Sequence, residues 1–139
     1  MADHVILFQP VYAAEGNITE LFLKDPHTEP CHDPRTIHSV RCALAKTYVT
    51  DLITQGKIIK RTFHRSAPVP FYLPDGRVYV PLKMREQRIN RDSCYGFVEI
   101  NAVKALRETK HNTDLLLTTG HRISIFTSIT PHVRSFTLS

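Results

Sequence analysis

Nine lysines and arginines fall within residues 57–91 (Lys57, Lys60, Arg61, Arg65, Arg77, Lys83, Arg85, Arg88 and Arg91), against two acids, Asp75 and Glu86. The residues before this stretch carry four basic and seven acidic side chains and those after it five and four, so the formal net charge of +5 arises wholly in the middle of the chain. A positive field of this kind favours a polyanionic partner, because it neutralises phosphates and releases their counterions. The same residues also fit a solvated face whose acids, Glu86, Asp92 or Glu99, lie beside them in space. Within the stretch two clusters differ in character. Lys60, Arg61, His64 and Arg65 are suited to phosphate contacts that position a protein on a duplex. Lys83, Arg85, Arg88 and Arg91 lie on a polar segment with the three arginines three residues apart. Arginines on such a loop can enter a narrow minor groove, where the negative potential is enhanced, and no recognition helix is required.

A second constellation is His27, Cys31, His32, His38 and Cys42, five ligand-type side chains in sixteen positions. His38 and Cys42 are four apart, one turn on a helix, and with Cys31 or His32 they have the donor types of a tetrahedral zinc site. The spacing matches no common zinc module, and Cys42 equally fits a small core position with His38 at its rim. No metal is assigned; Cys31, His38 and Cys42 stand as the candidates. Three cysteines without a CxxC pair predict reduced thiols and no disulfide framework. For catalysis there is no phosphate-cradling glycine loop, no nucleophile elbow and no paired-carboxylate motif, and Cys94, in an apolar run without a local base, reads as a buried, inert thiol. Neither an enzymatic activity nor a cofactor is expected.

The elements that must carry these side chains are legible in part. A chain of 139 residues with 42% hydrophobic and 22% charged side chains predicts a single globular domain over residues 1–139. It has no apolar window long enough to span a bilayer and no signal-peptide start, which predicts a cytoplasmic protein without membrane association. Residues 4–12 read as a strand that bulges or ends near Pro10, and 18–23 as its hairpin partner after the turn at Glu15-Gly16-Asn17. Asp33-Pro34 predicts a helix start, and Ile37, Val40, Leu44, Tyr48 and Leu52 form one apolar stripe that Gly56 would end. The β-branched residues at 47–54 weaken its second half, so a helix followed by a short extended piece fits too. Residues 57–63 read as a strand or helix tail, Pro74-Asp75-Gly76 as a tight turn into a strand at 77–82, and 83–93 as a surface loop or short helix. Residues 94–103 return to a strand pattern in which Gly96 marks a bulge or a close backbone approach, and Gly120 divides a hairpin at 114–127 with Ile123 and Ile125 facing inward. The resulting class is α+β: a mainly antiparallel β-sheet domain with one principal helix near residues 34–55.

Several landmarks recur in a familiar order: RCALAKTYV around Cys42, FHRSAPVPF leading into the prolines, PDGRVYVP, CYGFV from Cys94, and TTGHRISI followed by Ser128. In their order and spacing over roughly residues 40–130 these resemble the ComK family of competence transcription factors. The resemblance implies a cytoplasmic bacterial regulator that binds paired AT-rich boxes in double-stranded DNA, chiefly through the minor groove, as a homodimer or higher oligomer, and bends the duplex. On that reading Lys60, Arg61, His64, Arg65, Lys83, Arg85, Arg88 and Arg91 are the DNA-binding residues. The chain departs from the family where TYVTDLITQG replaces a glycine-arginine element, where Ser66-Ala67 replaces paired prolines, and at Phe97, where the family has tryptophan. The segment between Pro81 and Cys94 is longer, and the chain stops at Ser139 without the C-terminal tail read by the family's proteolytic adaptor, so that recognition is not expected. The competing class is a non-enzymatic protein-interaction module that offers its basic face to an acidic partner. An RNA-binding reading lacks the aromatic strand motif that base stacking needs.

Overall fold

The computed structural model describes residues 4–14, 16–48, 51–63, 69–85, 94–108 and 113–126. Among the described residues nine strands and two helices follow one another as β1 (Val5–Ala13), β2 (Gly16–Leu23), β3 (Cys31–Asp33), α1 (Ile37–Thr47), α2 (Leu52–Phe63), β4 (Phe71–Tyr72), β5 (Val78–Lys83), β6 (Tyr95–Glu99), β7 (Val103–Glu108), β8 (Thr113–Leu117) and β9 (Arg122–Ile125). A short 3-10 turn, Ile100–Ala102, joins β6 to β7. All strand pairings are antiparallel, in a six-stranded sheet of order β3-β2-β1-β6-β5-β4 and a three-stranded meander β7-β8-β9. This is the α+β class that the sequence pattern predicts. Among the described residues no helix is long and apolar enough to cross a membrane.

The large sheet is covered on both faces, which is why its central strands read as near-continuous apolar runs. One face packs Val5, Phe8, Leu21, Phe71, Tyr79 and Phe97 against Ile37, Val40 and Leu44 of α1. The other packs Ile6, Leu7, Phe22, Leu82 and Val98 against Leu115, Leu117 and Ile125 of the meander. Alternation would send Ile6 and Leu7 to opposite faces, yet both lie in the meander-side core. The register of β1 on β2 slips between Val5 and Leu7, and this bulge re-aims one side chain. Pro10 is not where β1 bulges or ends. The strand passes through it, beyond the two residues, Leu7 and Phe8, at which β1 pairs with β6, so its missing N–H interrupts no ladder on that side. Pro81 in β5 likewise lies past the short pairing with β4.

Gly96 of β6 is the close approach expected of it: a Cβ there would stand 2.7 Å from the Phe8 carbonyl oxygen and 3.0 Å from the Gln9 Cα. The turn at Gly76 has φ +94°, with the Gly76 amide donating to the Leu73 carbonyl at 3.0 Å. In β9 Ile125 is buried while Arg122 and Ser124 are exposed, the predicted alternation.

The helical region is where local structure differs most from expectation. Thr36, not Asp33, caps α1: its hydroxyl accepts from the Ser39 amide at 3.3 Å. Asp33 ends β3 and accepts instead from the Arg35 amide and guanidinium. The single helix is broken at Tyr48, after the β-branched residues begin. A new helix starts after Asp51, whose carboxylate accepts from the amides of Ile53 and Thr54 at 3.1 Å. With that cap in place α2 runs through Gly56 and takes residues 57–63, so Gly56 is not a stop and the strand reading of this segment gives way to helix. Its partner is the edge strand β4. The Gln55 side-chain amide donates to the Tyr72 carbonyl at 2.8 Å and accepts from the Tyr72 amide at 3.0 Å, pairing an edge that would otherwise stand open.

Candidate nucleic-acid interface

Lys83 and Arg85 leave the sheet at the end of β5, directly across from Tyr95, which opens β6. The β1–β2 hairpin ends beside them. Arg85 lies over the Tyr12 ring, its guanidinium carbon 4.0 Å from the ring centroid, and donates from Nη2 to Asn17 Oδ1 at 3.0 Å. Tyr12 and Asn17 are themselves cross-strand partners, so the hairpin register sets where that guanidinium rests. Phe126 joins the same end, its amide donating to the Lys83 carbonyl at 2.8 Å. Tyr95, the register partner of Lys83, is 39% exposed and Phe126 is 46% exposed. One end of the main sheet thus presents lysine, arginine and open aromatic faces together.

Arg41 of α1 extends this chemistry inward, and the sequence reading did not single it out. Its guanidinium carbon is 5.3 Å from both the Phe71 and Phe97 ring centroids, on the helix-covered side of the strand that Tyr95 opens. Burial pulls its pKa down from the ordinary arginine range, and its buried Nε has no hydrogen-bond partner among the described residues. The available signal was helical spacing. Ile37, Arg41, Leu44 and Tyr48 share one stripe, so a cation at position 41 must enter the helix–sheet interface.

Arg77, counted in the basic stretch, belongs to the interior. It is only 6% exposed, donates from Nε to Asp75 Oδ2 at 2.8 Å and from Nη1 to Tyr79 Oη at 3.1 Å, and lies over the Tyr48 ring at 4.5 Å. It removes one cation from the surface and engages the carboxylate of Asp75, which stays exposed. Glu99, one of the acids that would have compensated the arginines, is 4% exposed and faces His4 across 4.0 Å. Other carboxylates are engaged locally: Asp33 with Arg35, Glu20 with His32, Asp51 at the α2 cap.

Of the eight candidate DNA-binding residues, the structure brings Lys83 and Arg85 together. Lys60 and Arg61 fall in the last turn of α2, with side chains outside the described residues; His64, Arg65, Arg88 and Arg91, and the acids Glu86 and Asp92, also lie outside them. The candidate metal ligands divide. His38 Nε2 and Cys42 Sγ stand 3.6 Å apart on the exposed face of α1, whereas Cys31, on β3, donates to the Glu29 carbonyl. Among the described residues no three His, Cys, Asp or Glu side chains converge on one point. Cys42 is exposed and is no core residue, because the register that buries Ile37, Val40 and Leu44 turns positions 38 and 42 outward. Cys94 is half-exposed, ahead of β6, and does not have the burial its apolar setting predicted. No protein-family model matches the chain, and no curated protein or solved structure does either.

Proposed function

We propose that the protein is a ComK-like DNA-binding regulator, not an enzyme, that grips AT-rich duplex DNA with the end of its main sheet, the arginines of residues 83–91 entering the minor groove. The observation that supports this most is the convergence of Lys83, Arg85, Tyr12 and Tyr95 at the root of that segment, with Glu99 buried and turned to His4. A guanidinium held on an aromatic ring keeps its charge and loses little conformational freedom on meeting a phosphate or groove edge. Lys60, Arg61, His64 and Arg65 supply phosphate contacts in this reading, and two copies of the chain act together on paired boxes in the cytoplasm of a bacterium.

The test is a titration against AT-rich and GC-rich duplexes across a salt series, with a minor-groove ligand as competitor. A steep salt slope, AT preference and displacement by the competitor are expected. Absence of binding at low salt would discard the reading and leave the second one, a protein-interaction module whose basic face meets an acidic partner.

A further inference from the structure

We propose that His38 and Cys42 form half of a tetrahedral zinc site, completed by the same pair from a second copy of the chain. Their positions follow from the core. With Ile37, Val40 and Leu44 turned to the sheet, residues 38 and 42 are both exposed, one turn apart on the outer face of α1. Helical geometry sets such i, i+4 side chains side by side. Their donor atoms, Nε2 and Sγ, are 3.6 Å apart. Zinc bonds of about 2.3 Å to sulfur and about 2.05 Å to nitrogen, at a tetrahedral angle, separate the two donors by about 3.6 Å. The pair therefore has the bite of two ligands on one ion without rearrangement of the backbone.

Two ligands do not make a structural zinc site, which takes four. Among the described residues no third His, Cys, Asp or Glu stands close enough to join them. A two-fold axis through the ion supplies the two missing donors as one more His38 and Cys42, giving an N2S2 set. The approach to the pair is open on the side of Ser39 and Lys46, which are exposed as well, while Ala45, one turn beyond Cys42, is buried. Each thiol gives up its proton on binding, so one ion joining two chains releases two protons. Lys46 stands one turn beyond Cys42, where its charge opposes the ion; its replacement by alanine should tighten the site.

Sedimentation of the full chain, kept reduced and titrated with Zn2+, is expected to shift from monomer to dimer at half an ion per chain and to revert with EDTA. Co2+ in its place should give tetrahedral d–d bands with a thiolate charge-transfer band. Cys42→Ser and His38→Gln should each abolish the shift, and Cys31→Ser should leave it intact. Because residues 38 and 42 are exposed, both variants should keep the wild-type circular dichroism and thermal midpoint without metal. Zinc bound one per chain without association would overturn the proposal. So would a dimer that survives EDTA or both substitutions, or one that yields to reductant alone. The outcome is independent of whether the basic end of the sheet binds DNA.

Discussion

Tyr79 shows how single residues fix the interior near the site. It is fully buried, donates from its hydroxyl to the Val5 carbonyl at 2.6 Å and accepts from Arg77 at 3.1 Å. Burial raises its pKa well above the ordinary 10.0, against the pull of the Arg77 charge. Because the folded value is the higher, its contribution to stability is complete below pH 10 and is lost as the pH rises beyond it, where the unfolded chain ionises first. Tyr79→Phe should cost about 1–3 kcal/mol near neutrality, since it leaves two buried groups unsatisfied. It should also flatten the alkaline fall in stability; denaturant melts from pH 8 to 11 measure both. His4, across the same network, is shifted the other way. Desolvation first, and then the Arg77 charge, hold its pKa below 6.5. Its contribution is therefore present above pH 6.5 and lost as the pH falls, when the unfolded chain takes up the proton. In His4→Gln the stability slope between pH 7 and 5 should be shallower than in the parent, and a slope that does not change would exclude His4 as its source.

Elements carry the next level, and Gly96 is the sharpest test of how they meet. A methyl group there would meet backbone atoms of β1 at 2.7 and 3.0 Å and the Met84 Cγ at 2.9 Å. Backbone cannot swing aside as a side chain can, so Gly96→Ala should destabilise by about 1–3 kcal/mol, read as a lower denaturation midpoint with an unchanged slope. A midpoint equal to the parent's would show that β1 and β6 are not pressed together there. This glycine was legible in the sequence because a glycine inside an apolar strand has few other uses. So were the β1–β2 hairpin, the turn before β5 and the inward isoleucines of β9, all fixed by local turn chemistry and two-residue alternation. The bulge that sends Ile6 and Leu7 to one core was not legible, since neither glycine nor proline marks it. Nor was the split into α1 and α2, which depends on Asp51 as a cap and on Gln55 pairing the β4 edge seventeen residues away. At the site, the charge excess was readable from composition, and the interior role of Arg77 was not. The partners that bury that arginine, Tyr79 and Tyr48, are brought to it by the sheet and α1.

The proposed DNA-binding function divides the cations of the whole molecule into a positioning group and a recognition group. Arg77 is interior and Arg41 lies against two phenylalanine rings, so the proposed reading turns on two other groups of cations, those at the α2 end and those of the segment after β5. If the first only positions the duplex, Lys60→Ala with Arg61→Ala should weaken AT-rich and GC-rich binding equally. The slope of log affinity against log salt should also drop by about 1.8, roughly 0.9 for each phosphate left without its cation. If the second reads the groove, Arg88→Ala with Arg91→Ala should reduce the AT over GC preference itself, because a narrow groove is sensed by the side chains that enter it. Arg85→Ala belongs with the second pair, and its effect should be reproduced by Tyr12→Ala, which removes the ring on which the guanidinium rests and leaves the charge in place. That last equivalence tests the geometry most directly. Equal weakening in the two variants means that the held position of the charge matters, whereas binding unaffected by Tyr12→Ala would mean that only the number of cations does.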